Sequence, residues 1–298
     1  MSDITRVRSL DQRLLGLEPD PDDEDALSFV VVPHLCRGDG RFYGGAALAA
    51  SLAASEAVTG RPTLWSSTQL VATADLGERI RVGVEVVASG RSVDQVDVRA
   101  TVGDRVIFAA VGSNGSPRPG GLSGPGQVMP RVAPPDDAEP WHGPGRIAAE
   151  AEGEPTFMLP AVGHHLVSEH REAPLLDGSP GRPGHMALWA RLRGELGEAH
   201  EMTPAGLGFL ADMVPIACAR ACGVQGAGTS LDNSLRIGDV VDTEWVLLEL
   251  DAHVAVGGYG HGHVHVWSPD GRMLATGTQS AILFSVDDMR ARRAARPG

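Results

Sequence analysis

The chain has 298 residues, of which 42% are hydrophobic and 21% charged, with a formal net charge of −13; that is length enough for one large or two ordinary domains around a sizeable core. The negative balance argues against general binding to nucleic acid or anionic lipid, so an anionic ligand has to be held locally by arginines or helix N-termini. All 25 basic residues are arginine, which excludes Schiff-base chemistry, a pyridoxal-phosphate anchor and a P-loop lysine together.

No run of about 18 apolar residues occurs, so no transmembrane helix is expected. The start, Met1-Ser2-Asp3-Ile4-Thr5-Arg6, lacks the apolar centre of a secretory signal. A cytoplasmic protein with reduced thiols is therefore expected, and the odd number of cysteines (Cys36, Cys218 and Cys222) agrees. Cys218 and Cys222 lie four apart on a predicted helix. With no ligand set nearby they read as small core residues rather than a metal pair.

Residues 1–27 form a polar, acidic segment with a helical turn or two around residues 10–17 and a solvated acidic loop after it. A first repeat is expected over residues 28–115. It opens on a strand at 28–32, followed by an alanine-rich helix from Gly45 to about Thr59 that ends before Gly60 and Pro62. That helix has almost no bulky side chains, as expected where a curved sheet wraps closely around it. Ile80, Val82, Val84 and Val86 then alternate with polar or small residues, as do Val96, Val98 and Ala100, which predicts strands. The uniformly apolar stretch at 106–111 reads as a central strand. Residues 116–155 are Pro- and Gly-rich and predict a linker.

A second repeat is expected over 156–286. Strands are predicted at His165-Leu166-Val167 and 186–192, with a loop between them at 178–184. Thr203-Pro204 signals a helix start, and Asp212, three before Pro215, reads as the cap of a helical part running to Cys222. Further strands are predicted at 230–237, 244–256, 261–267 and 273–284, and residues 287–298 form a basic, solvated tail.

Each half is thus an early strand, a main helix and several antiparallel strands. A sheet curled around its own helix, the hotdog arrangement, satisfies these elements; two in one chain make an α+β double hotdog. The halves align: setting Arg105 against Arg272, each in a tight turn, gives an offset of 167 residues. The same offset places Gly45 opposite Asp212, Thr63 opposite Ser230 and Gly112 opposite Gln279. Only the second copy has an acid and an amide where the first has glycines.

Familiar catalytic motifs are missing: no G-x-S-x-G elbow, P-loop or H-E-x-x-H occurs. The glycine-rich run at 257–262 joins two predicted strands and reads as a hairpin, not a dinucleotide loop. His261, His263 and His265 share one strand face. This spacing can bind a metal, but without a Cys or carboxylate cluster in support it reads as a polar face turned to solvent or to another subunit. No metal or organic cofactor is expected.

Four segments carry a more specific resemblance: Arg41-Phe42-Tyr43-Gly44-Gly45, Leu210-Ala211-Asp212, Ser230-Leu231-Asp232-Asn233-Ser234 and Ala275-Thr276-Gly277-Thr278-Gln279. In order and spacing they resemble the acyl-CoA thioesterase II family, double hotdogs that hydrolyse fatty acyl-CoA. The resemblance covers most of residues 28–285 and is densest in the second half. It implies that an Asp, a Thr and a Gln hold the attacking water. Asp212 and Gln279 match the first and last, and Ser230 falls at the threonine, keeping the hydroxyl but losing the methyl that fixes its rotamer. Thr229 is a rival for that role, and only one of two neighbouring strand residues can face the site. Ala46 stands where many relatives carry glutamine.

The chemistry implied is water attack on a thioester. A thiol with a pKa of about 8.5 leaves without a strong general acid, so the residues need only orient and deprotonate water and receive the oxyanion, for which backbone N–H groups at a helix start are suited. The acyl chain is expected in an apolar tunnel beside the helix, and exposed strand edges suggest a homo-oligomer. A non-catalytic acyl-CoA-binding hotdog is the alternative, favoured by Ser230 and Ala46. An enoyl-CoA hydratase would need a histidine paired with an acid near the helix, a position outside which His164, His165 and His170 fall.

Overall fold

A computed structural model of the chain describes residues 7–124, 126–145, 159–176 and 182–295. Helix α1 (Ser9–Leu15) and the short β1 (Glu18–Pro19) precede β2 (Ala26–Val30) and the main helix α2 (Gly44–Thr59). Strands β3 (Thr63–Leu70), β4 (Arg79–Ser89), β5 (Val93–Val102) and β6 (Arg105–Gly115) follow. The short β7 (Glu139–Pro140), β8 (Ser168–Glu172) and β9 (His185–Leu192) then lead to two consecutive helices, α3 (Pro204–Ala211) and α4 (Val214–Ala221). The remainder is β10 (Gly226–Ile237), β11 (Val246–Val256), β12 (Tyr259–Trp267), β13 (Met273–Ser285) and α5 (Val286–Ala294).

These strands form one antiparallel sheet in the order β1-β2-β4-β5-β6-β3-β10-β13-β12-β11-β9-β8-β7. The order is nearly palindromic about the β3–β10 pair, where Ser67 faces Ser234. The predicted double hotdog is the observed architecture: two repeats share one sheet, joined through equivalent strands. The match extends to local irregularities. The β3–β6 ladder slips between Thr63 and Trp65, and the β10–β13 ladder between Ser230 and Asp232. The extra residues, Leu64 and Leu231, stand 167 apart, so the β-bulge belongs to the repeated unit.

Helix α2 is apolar on all sides, and every residue from Gly44 to Ala57 is buried, as a helix enclosed by sheet requires. Gly208 of α3 lets the two helices approach closely: a Cβ there would sit 2.9 Å from Leu52 and 3.1 Å from Leu48 of α2. The break between α3 and α4 falls at Asp212 and Met213, and this break exposes a carboxylate to the start of α2.

Several local expectations change. The helical turn expected around residues 10–17 is present as α1, and its Leu10, Leu14 and Leu15, with Leu17 after it, lie in the core. His164–Leu166 is a 3-10 turn, with the strand starting two residues later at Ser168. Cys222 is exposed, whereas Cys36 and Cys218 are buried and all three are free thiols. Residues 286–294 are helical, with Arg292 over the Phe284 ring at 3.8 Å. Gly257 and Gly258, with φ of +60° and +82°, make the β11–β12 hairpin that the sequence indicates. Part of the Pro/Gly-rich stretch and of the loop at 178–184 lies outside the described residues. Among the described residues, no helix is long and apolar enough to cross a membrane.

Candidate active site

Asp212 ends α3 with φ −76° and ψ 57°, and its side chain turns into the protein, leaving the residue 8% exposed. It does not cap α4 as the sequence suggests. The first free N–H of that helix, on Val214, donates instead to Gln279 Oε1 at 3.2 Å. That bond fixes the Gln279 amide: with Oε1 occupied as acceptor, Nε2 points at Asp212 and Ser230. Nε2 donates to Asp212 Oδ1 and, at 2.7 Å, to Ser230 Oγ. Ser230 Oγ donates in turn to Asp212 Oδ1 at 3.1 Å. Asp212, Ser230 and Gln279, the three residues singled out from the repeat alignment, therefore stand in mutual hydrogen-bond contact. Thr229 is directed elsewhere, and its Oγ1 accepts from Arg37 Nη1 at 3.0 Å.

Sequence reasoning missed a fourth partner. Asn233 Nδ2 donates to Asp212 Oδ1 at 3.2 Å, from a residue only 1% exposed. Strict alternation along β10 would put Ser230 and Asn233 on opposite faces. The bulge at Leu231 shifts the parity by one, so both face Asp212. Asn233 also lies directly across from Gln279 in the ladder. The one available signal was the Leu64–Leu231 correspondence, which marks an irregularity only once the ladder is seen.

The first repeat supplies the rest. The Gly45 N–H, in the first turn of α2, donates to the Asp212 carboxylate, and Tyr43 Oη reaches the Asp212 carbonyl at 3.5 Å. A Cβ on Gly44 would fall 2.7 Å from Asp212 Oδ2, and one on Gly45 would fall 2.6 Å from the Phe209 carbonyl oxygen. Gly44 therefore clears the space that the second repeat's carboxylate fills, and Gly45 lets α2 pack against the end of α3. The positive end of the α2 dipole faces that carboxylate.

Burial pushes the Asp212 carboxyl up to about 6, against the pull of Ser230, Gln279, the Gly45 N–H and the nearby charge of Arg37. It thus stands close to neutrality, where a base is effective at physiological pH. His164, stacked on Tyr43 with ring centroids 4.7 Å apart, is held neutral by burial, its pKa lowered to about 3. No imidazole is among the hydrogen-bond partners found on the Asp212 side chain. Asp212, Asn233 and Gln279 are buried, whereas Ser230 is half-buried. Two surface hollows of about 280 and 360 Å³ are lined by other residues.

Residues 33–115 match the model of the acyl-CoA thioesterase N-terminal domain, and residues 132–283 match that of the C-terminal domain. The chain belongs to the acyl-CoA thioesterase family. Among solved structures, this family member is similar to a candidate thioesterase from Novosphingobium aromaticivorans DSM 12444, at 32% identity and a TM-score of 0.71, over 87% of this chain and 96% of that one. Two others show the fold alone. The tesB protein of Mycobacterium avium subs paratuberculosis is 17% identical, with a TM-score of 0.69 over 94% and 99% of the two chains. A hot dog protein of unknown function from Alicyclobacillus acidocaldarius is 20% identical, with a TM-score of 0.72 over 94% and 99%. No curated protein matches this acyl-CoA thioesterase family member.

Proposed function

We propose that the chain hydrolyses fatty acyl-CoA to free fatty acid and CoA by direct attack of water, without a metal or organic cofactor in that step. The observation that carries this reading is the hydrogen-bonded cluster of Ser230, Gln279 and Asn233 around the Asp212 carboxylate, whose pKa is raised to about 6. Asp212 takes a proton as the water oxygen bonds to the thioester carbonyl carbon. Ser230 and Gln279 fix the orientation of base and water. The oxyanion forms beside the N-terminal turn of α2, whose dipole favours negative charge. As the intermediate collapses the C–S bond breaks, and the thiolate of CoA, conjugate base of a thiol with a pKa of about 8.5, leaves and takes up a proton.

The acyl chain lies in an apolar tunnel beside α2, and the depth of that tunnel sets chain length. Cytoplasmic location and self-association belong to this proposal. The sheet edges β1 and β7 are two-residue strands, each with a proline, Pro19 and Pro140, and are poorly suited to edge pairing. Copies are therefore proposed to meet through their outer sheet faces.

The test is thiol release from a panel of acyl-CoA thioesters. The wild-type protein is expected to turn over, and Asp212→Asn to lose about 10²–10⁴-fold in kcat with its fold intact. Equal turnover in the variant removes Asp212 from the chemistry. Saturable acyl-CoA binding with no thiol release supports the non-catalytic alternative.

A further inference from the structure

The outer face of the second repeat carries a side-chain group for which hydrolysis has no use. His261, His263 and His265 alternate along β12, and Asp251 of β11 stands directly across from His263. The β11–β12 ladder slips between Ala252 and Val254, leaving His253 as the extra residue of a bulge. Bulges re-aim side chains, and this one turns His253 against both neighbours. Its ring centroid lies 5.6 Å from that of His261 and 4.7 Å from that of His263, and its Nε2 is 2.6 Å from His263 Nδ1. One carboxylate oxygen of Asp251 and one ring nitrogen each of His253 and His263 all lie within 4.8 Å of one another.

Asp251 supplies a second, independent observation. The residue is 6% exposed; Arg182 engages Oδ2, whereas Oδ1 is buried with no hydrogen-bond partner. An unpaired buried acceptor is costly, and a charged one more so. The two imidazole nitrogens at 2.6 Å share an N–H···N hydrogen bond in one tautomer, and in the other both offer lone pairs as ligands beside the Asp251 carboxylate.

We propose that Asp251, His253 and His263 bind a late first-row divalent metal ion, of which zinc is the best fit. Two imidazoles and one carboxylate suit zinc, whereas magnesium and calcium prefer all-oxygen shells. Tetrahedral bonds of about 2 Å place ligand atoms about 3.3 Å apart. The exposed His253 ring is the member of the set whose rotation this spacing calls for. Arg182 holds the carboxylate in orientation, as outer-shell partners of metal ligands do, and the fourth position is left for water. In the β12–β13 ladder His263 pairs with Thr278, and its neighbour Gly262 pairs with Gln279. A metal here clasps the β11–β12 hairpin behind the strand pair that presents the Gln279 amide.

The experiment is calorimetric titration of zinc chloride into the full, untagged chain after chelator treatment and dialysis, with thermal unfolding run in parallel. One zinc per chain is expected, with a raised Tm, and magnesium chloride should give neither effect. His253→Gln and His263→Gln should each weaken zinc binding more than tenfold, since loss of an outer-shell partner alone costs about 10–100-fold. Replacing the exposed His142 by Gln should change nothing. His253 is exposed, so His253→Gln decides the matter should His263→Gln fail to fold. Absence of saturable zinc binding, or undiminished binding in His253→Gln, overturns the site.

Discussion

Asp212 Oδ1 accepts from Ser230, Asn233 and Gln279, three donors that all favour the ionised carboxylate, yet burial outweighs them and the group titrates near 6. A base acts only when ionised, so kcat/KM should rise as pH passes through about 6 and level off above it. The Ser230 hydroxyl is the strongest of the groups that hold this pKa down. Ser230→Ala should therefore move the acid limb to higher pH as well as lower the plateau, whereas Ser230→Thr should keep the limb in place. A limb that stays put in Ser230→Ala would reduce Ser230 to packing and reopen the claim of Thr229. The repeat offset set an acid and an amide opposite glycines, and the family resemblance marked Asp212, Ser230 and Gln279 as one set. The role of Asn233 was not, since its facing depends on a bulge that no residue type in Ser230-Leu231-Asp232 announces.

Helix α2 acts through what it lacks. Gly44 and Gly45 bring its first turn against Asp212, and the Gly45 N–H lands on the carboxylate. In Gly45→Ala the new Cβ would lie 2.6 Å from the Phe209 carbonyl oxygen, so α2 and α3 must part. The expected cost is about 1–3 kcal/mol, the usual range for overpacking, read as a lower urea midpoint, and activity should fall with it. An unchanged midpoint would mean that the helices do not meet this tightly. The helix itself was legible from its alanine content and from the stop at Gly60, and most strands from their period-2 patterning. The capping role was assigned to the wrong side chain: Asp212 before Pro215 has the local pattern of an N-cap, but Gln279, from a strand 65 residues away, takes the Val214 N–H. Local pattern carries no record of such a competitor.

At the scale of the molecule, the duplication was visible in the sequence, but the joining of both copies around one carboxylate was not. The repeat offset sets Gly45 and Asp212 as equivalents, but their contact arises from the packing of α2 on α3, which no local pattern records. The N-terminal helical turn was expected around residues 10–17, but not that its four leucines complete the core. It is anchored by Asp11, which accepts from the Thr203 hydroxyl at 2.5 Å and which burial raises to about 7. The folded pKa lies above the unfolded value of 3.8. This contribution to stability is therefore whole below about pH 4, is lost as pH rises to about 7 and changes no further above that. Asp11→Asn, which imitates the protonated form, should be about 1–3 kcal/mol more stable than wild type at pH 8 and no more stable near pH 4. Equal unfolding free energies at pH 8 would mean that Asp11 is not desolvated. Under the proposed function, both repeats converge on one base that activates water. A single turnover of acyl-CoA by excess protein in ¹⁸O-water tests that claim most directly. One ¹⁸O in the carboxylate of the first fatty acid released is the predicted result. Unlabelled acid on that first turnover, its oxygen drawn from the Asp212 carboxylate through a covalent acyl intermediate, would contradict it.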